Sequence, residues 1–209
     1  TGNKRLFIGG GEKLRQVYAL LTQSFSSEQL PELICENAVK SGLCEIYKLR
    51  KNIKFRNEII KSIEKNRIIS IIRNPVRDTL IPAVRALFNG GIRLVEVTFD
   101  RSGKHDKQYT AEIISELCNE FSGKLTVGAG TVMSCEEVLI AYQAGAQFII
   151  SPNCDPEVIK LTRRLGLVSI PAAFTPSEIA QATRNGADFV KIFPADALSE
   201  NYIKSVSAP

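Results

Sequence analysis

Gly90-Gly91-Ile92-Arg93-Leu94-Val95-Glu96-Val97-Thr98-Phe99 is the stretch whose reading decides the fold. It closes an amphipathic helical segment, Val76–Phe88, with two small residues and then enters a run of strand-forming side chains. The same plan recurs in Gly145-Ala146-Gln147-Phe148-Ile149-Ile150 and in Gly186-Ala187-Asp188-Phe189-Val190-Lys191. Each copy reads as the end of a helix, a short αβ turn and a strand.

Working outward, short apolar runs alternate with amphipathic segments from Arg67 onward. Ile68–Ile72 precedes the helix at Val76–Phe88, and Leu94–Phe99 precedes one near Gln108–Phe121. Leu125–Val127 leads to Cys135–Gln143, and Phe148–Ile150 to Pro156–Leu165. Val168–Ile170 leads to Pro176–Arg184, and Phe189–Phe193 to a last short helix near Asn201–Val206. The runs are apolar on both sides, as a parallel sheet covered on both faces requires. Six consecutive strand-helix units admit a (βα)8 barrel or a doubly wound sheet. The absence of GxGxxG after the first strand weighs against a dinucleotide-binding sheet.

Residues 1–65 read as a separate helical segment ahead of the α/β part at 66–209. Helical spacing marks Glu12–Phe25, Ser26–Gly42 and Phe55–Lys65. Gly9-Gly10-Gly11 reads as an ordinary turn. The net charge of +5 sits wholly in this segment. Up to Lys65 lie 12 of the 27 Lys and Arg and 7 of the 22 Asp and Glu, leaving 15 of each beyond. The densest stretch, Lys48–Arg56, has only Tyr47 and Phe55 as aromatic company and reads as a solvated helical face, not a nucleic-acid site.

The chain has 209 residues, 44% hydrophobic and 23% charged, an ordinary balance for a globular protein. No run of about 18 apolar residues is present, so no membrane helix is expected. The start at Thr1 has no signal-peptide core, and the reading is cytoplasmic. Cys35, Cys44, Cys118, Cys135 and Cys154 form no CxxC, and His105 is the single histidine. Reduced thiols and no zinc site are expected.

In a barrel, chemistry sits at the C-terminal ends of the strands. Those positions carry Arg73, Glu96, the turn Gly128-Ala129-Gly130-Thr131, Ser151-Pro152, Pro171–Thr175 and Lys191-Ile192-Phe193. Glu96 and Lys191 are charges inside otherwise apolar strands, where an unpartnered charge costs several kcal/mol. Lys191 could snorkel to an edge or pair with Glu96, but a closed barrel has no free edge. The alternative is a nucleophile: a desolvated lysine is a neutral amine that attacks a carbonyl as a Schiff base. Glu96 then moves protons, balances the charge, or both. The glycines of the turn either merely tighten it or let N–H groups approach an oxygen, with the Thr131 hydroxyl adding a donor and acceptor. Arg73 is a carboxylate or phosphate fork, or an ordinary surface arginine. His105, in a polar loop, reads as solvated.

Five segments taken in order resemble one family: Gly91–Phe99, Val127–Val132, Gly145–Pro152, Ile170–Glu178 and Phe189–Ala195. From Arg67 to Pro209 the chain is similar to the 2-keto-3-deoxy-6-phosphogluconate (KDPG) and 4-hydroxy-2-oxoglutarate (KHG) aldolases. The resemblance implies an α/β fold of (βα)8 TIM-barrel type, with the first six strand-helix units present behind the helical segment. It implies a class I aldolase, a homotrimer, that binds a small 2-keto acid and needs no cofactor or metal. Lys191 matches the Schiff-base lysine and Glu96 the proton-shuttling glutamate. Arg73, Gly130, Thr131 and Thr175 match substrate-holding positions, and Pro152 and Phe193 match pocket walls. Asp100 stands where many members have arginine, with Arg101 next to it. The family's strands seven and eight, with their Pro-Thr-Gly-Gly and Gly-Gly-Ser turns, have no match here. The competing expectation is therefore an incomplete, inactive barrel fragment or an interaction domain. Another phosphate-binding lyase or synthase barrel would leave the Glu96–Lys191 pair without a reason.

Overall fold

The computed structural model describes residues 43–206 apart from Ala197; the readings at Gly9–Gly11, Glu12–Phe25 and Ser26–Gly42 lie outside them. The chain divides into two compact units, Thr1–Lys51 and Asn52–Pro209. From Leu43 onward, helices and strands alternate. They are α1 (Leu43–Asn66), β1 (Ile69–Ile72), α2 (Arg77–Asn89), β2 (Leu94–Thr98), α3 (Lys107–Glu120), β3 (Thr126–Gly130) and α4 (Cys135–Gln143), followed by β4 (Phe148–Ser151), α5 (Pro156–Arg164), β5 (Val168–Ala173), α6 (Pro176–Asn185), β6 (Lys191–Ile192) and α7 (Glu200–Val206). The six strands are parallel and lie in sequence order, β1-β2-β3-β4-β5-β6. Nearest-neighbour order with one helix per crossover is the plan expected from the repeat, not the crossed order of a doubly wound sheet.

The αβ turns repeat one device. Gly91, Gly145, Gly166 and Gly186 all have positive φ, between 78° and 99°. The residue after each donates its N–H five residues back: Ile92 to Leu87, Ala146 to Ala141, Leu167 to Thr162 and Ala187 to Ala182. This is the left-handed stop that glycine makes without steric cost. It adds Gly166 to the three copies read from sequence and shifts the first by one residue, so that Gly91, not Gly90, corresponds to Gly145. The opposite ends are capped by side chains. Asp106, Ser134, Asp155 and Thr175 each accept a backbone N–H at the start of α3, α4, α5 and α6.

Alternation along the strands builds two cores. Val95, Val97, Val127, Ala129 and Ile149 pack outward against the helices, with Leu80, Ile113, Ile114 and Leu117. Leu94, Phe148, Ile150, Val168 and Ile170 pack on the inner face. Ile59 of α1 is buried in that inner cluster, and Ile60 and Ile63 pack against it. The second half of α1 therefore closes the N-terminal end of the strands, and belongs with the sheet. Burying an isoleucine there contributes about 1.5–3 kcal/mol.

Arg56 departs from the solvated face expected of the basic stretch. Its guanidinium pairs with Asp188, which also accepts from Arg163 Nη1 at 2.9 Å and from the Ser169 N–H at 2.9 Å. Burial still holds the Asp188 carboxyl above its ordinary range, against the pull of the Ser169 N–H and Arg56.

Gly128 has no room for a side chain, because a Cβ there would overlap the Phe148 ring. Gly128→Ala should therefore lose about 1–3 kcal/mol, the range for overpacking a core. Urea unfolding of Gly128→Ala and of Gly128→Ala/Phe148→Leu tests this. The smaller partner should restore part of the loss, and an equal or larger loss in the double variant would contradict the packing account.

Candidate active site

The inner face turns polar toward the C-terminal ends of the strands. The register pairs Ile69 with Leu94 and Ile71 with Glu96, then Glu96 with Gly128 and Thr98 with Gly130. Glu96 therefore sits one inward position above the apolar Leu94 layer. It is 3% exposed. Its side chain fills the space that Gly130 leaves, since a Cβ on Gly130 would collide with the carboxylate. The two glycines of Gly128-Ala129-Gly130 thus lie inside β3 and make room for Phe148 and Glu96. They are strand residues, so the tight turn expected of them is not formed.

Lys191 pairs with Ala172 at the start of β6 and faces the same side. It is half-buried, with Nζ 4.8 Å from the centre of the Phe193 ring. An ammonium over an aromatic face is attracted by the ring's negative face. Burial raises the Glu96 carboxyl above its ordinary range, and the charges of Lys191 and Arg73 oppose that rise. In a flat sheet Lys191 on β6 would lie four strand spacings from β2, roughly 19 Å. A charge felt at Glu96 from that strand, together with one from the residue after β1, requires the sheet to curl. Among the described residues, no hydrogen bond or ion pair joins Glu96 to Lys191 or Arg73. The fixed buried bridge that would have explained both charges structurally is not formed.

The remaining expected residues all lie at the same ends of the strands. Arg73 is exposed after β1, and Thr131 is half-buried directly after Gly130. Thr131 has φ +57°, which for a β-branched residue costs on the order of 1–3 kcal/mol. Pro152 is half-buried after β4, and Phe193 is 43% exposed after β6. Thr175 is exposed, and its hydroxyl is committed to the start of α6. It donates to Glu178 Oε2 at 2.8 Å and accepts the Glu178 N–H at 3.3 Å. Thr175 therefore has a helix-capping role that accounts for it without a ligand. His105 stacks on Tyr109 at 4.0 Å, away from the group around Glu96.

The partners of Asp100, Arg101 and Glu137 at this end were not read from sequence. Glu137 of α4 is 1% exposed and accepts from Arg101 Nη2 at 2.7 Å and the Met133 N–H at 2.8 Å. Burial would raise its carboxyl, but those two bonds together with the charges of Arg101 and Lys107 hold it below the usual range. Asp100 accepts from Ser102 Oγ and N–H and from the His105 N–H, and lies well below the carboxylate range for that reason. The Asp100 bonds are local, whereas only tertiary contact reveals the Arg101–Glu137 pair, whose members are 36 positions apart. Cys118 and Cys154 are pushed up by burial, Cys118 to about 11, so neither thiol is activated. Among the described residues, no three His, Cys, Asp or Glu are grouped to hold a metal ion, and no helix is long and apolar enough to cross a membrane.

Comparison with known proteins follows this geometry. A family model described as KDPG and KHG aldolase matches residues 59–209. The 2-dehydro-3-deoxy-phosphogluconate aldolase of Treponema pallidum is 35% identical over 150 residues, covering 72% of this chain and 68% of that protein. The 2-dehydro-3-deoxy-6-phosphogalactonate aldolase of Escherichia coli is 30% identical over 141 residues, covering 68% and 66%. Among solved structures, a KDPG aldolase from Legionella pneumophila has pyruvate captured at low pH as a covalent carbinolamine intermediate. It superposes with a TM-score of 0.60 at 28% identity, covering 66% of this chain and 65% of that one. The chain thus spans about two thirds of the length of the relatives it matches.

The raised Glu96 carboxyl has a consequence for stability. Between the ordinary carboxylate range and its raised native value, the folded state holds the extra proton. Stability should therefore fall as pH rises through that window and stay lower above it. Glu96→Gln should flatten this slope and make the protein more stable than the parent at neutral pH. Urea midpoints from about pH 5 to about pH 8 measure it. A parent at least as stable as Glu96→Gln at the upper end would refute the sign.

Proposed function

This chain belongs to the KDPG and KHG aldolase family, and we propose on that basis that it is a pyruvate-forming Schiff-base aldolase. Its substrate is a small 2-keto acid with a hydroxyl at C4: a 2-keto-3-deoxy-6-phosphosugar acid or 4-hydroxy-2-oxoglutarate. The observation that carries the reading is Glu96, a carboxylate buried on the inner face of the sheet and, among the described residues, without an ion pair, with Lys191 of β6 facing that same side. Family membership favours this reading over a non-catalytic fragment. The full (βα)8 architecture and a homotrimer are carried over from the resemblance and complete it, with a cytoplasmic location proposed beside them.

In the proposed mechanism the neutral amine of Lys191 adds to the C2 ketone and gives a carbinolamine. Loss of water leaves a protonated imine, which is the electron sink. Glu96, directly or through one water, takes the proton of the C4 hydroxyl. The C3–C4 bond breaks, its electron pair enters the imine as an enamine, and the aldehyde departs as glyceraldehyde 3-phosphate or glyoxylate. Glu96 returns the proton to C3, and water hydrolyses the imine to pyruvate and the free amine. Its raised carboxyl is a stronger base than an exposed carboxylate, which favours taking the hydroxyl proton and holding it for return to C3. Phe193 packs its ring against Lys191 Nζ and walls that side of the pocket. Arg73 and Thr131 hold the carboxylate end of the keto acid, and Pro152 walls the pocket. No cofactor is required, because the imine does the work of one.

Borohydride reduction in the presence of pyruvate should fix the adduct on Lys191, read by peptide mass, and Lys191→Ala should abolish it. Glu96→Gln should still form the adduct while cleavage falls by about 10²–10⁴. An adduct on another lysine, or cleavage undiminished in Glu96→Gln, would sink the assignment.

A further inference from the structure

We infer that Arg101 and Glu137 form a clamp that positions Thr131 at the site. The inference rests on the reading of Thr131 as a substrate-holding residue. Three consecutive residues after β3 are each held by a different element. Arg101 Nη2, from the loop after β2, donates to the Thr131 carbonyl at 2.6 Å. The Val132 N–H donates to the Ile150 carbonyl of β4 at 3.2 Å. The Met133 N–H donates to Glu137 Oε2 of α4 at 2.8 Å, and the same oxygen accepts Arg101 Nη2 at 2.7 Å. One guanidinium nitrogen thus ties the carbonyl of the strained residue to the carboxylate that holds the amide two residues on.

The arrangement explains how Thr131 keeps a left-handed backbone that its branched side chain resists. It also explains the burial asymmetry. The Arg101 side chain is 42% exposed and that of Glu137 only 2%, so a surface arginine reaches in to an interior carboxylate. Arg101 itself leaves from a fixed point, because Asp100 beside it is tied to Ser102 and His105. Arg101 needs no contact with substrate in this role. It acts through Thr131, and a plain stabilising ion pair would not.

The test is a double-mutant cycle on the full chain, read as the pyruvate concentration giving half-maximal borohydride trapping on Lys191. Arg101→Lys keeps a charge for Glu137 and loses the planar fork, so the chain is expected to fold. Thr131→Ala should raise half-saturation about tenfold and Arg101→Lys about fivefold, and the double variant should match Thr131→Ala within about twofold. Effects that multiply would overturn the clamp, as would either single variant binding like the parent. No adduct in the parent chain counts against the aldolase reading instead. Amide exchange at Met133 then decides the clamp by itself: about tenfold faster exchange in Arg101→Lys supports it, and unchanged exchange overturns it.

Discussion

Glu96 occupies the space that Gly130 leaves empty, and the inner face of the sheet is organised around that accommodation. A carboxylate needs volume, and on a parallel sheet the volume beside a strand normally belongs to the neighbour's side chain. Removing that side chain on β3 lets Glu96 lie flat inside the curve. Gly128 does the same for Phe148 one layer below. The two glycines let large groups from β2 and β4 lean over β3, so the sheet can curl without filling its interior twice. That curl brings a lysine on β6 within electrostatic reach of β2.

The interior is divided along its length. At the N-terminal ends of the strands Leu94, Phe148 and Val168 meet Ile59 of α1, and water is excluded by packing. At the other end Glu96, Thr98, Lys191 and Thr131 gather, and polar groups face each other or open space. An ionised group buried at the first end would have no partner and no solvent. At the second end it has neighbouring charges and an exit to water. The apolar half thus supports the polar half. Among the described residues, Glu96 is buried there without an ion pair.

Much of this was legible in the sequence, and the reasons differ by residue. Cys135–Gln143 emerged with the expected bounds, because its apolar spacing and the Ser134 cap agree. Val168–Ile170 was read short: β5 continues through Pro171, Ala172 and Ala173, whose small side chains carry no hydrophobic run. Phe189–Phe193 was read long, since β6 forms a ladder only at Lys191–Ile192. Glu96 and Lys191 stood out as charges within apolar strands, a signal that needs no partner to be seen. Arg101 and Glu137 gave no such signal. Each is an ordinary surface type in an ordinary polar context, and only the fold brings them together. The glycines of β3 were visible but the use of the space beside them was not, because sequence tells where a side chain is missing and not which neighbour takes the space.

Asp188 has an influence beyond its own ion pairs. A strand of two residues makes too few ladder bonds to set its own register. Three residues before Lys191, Asp188 is held by Arg56 of α1, Arg163 of α5 and the Ser169 amide of β5. It works as a pin that fixes where β6 begins, and hence which face Lys191 presents. The smallest excisable piece that keeps Lys191 in place is therefore not the sheet with its crossover helices. It must reach back past Arg56, because a piece starting later would keep every strand and lose part of the grip on the one that carries the lysine.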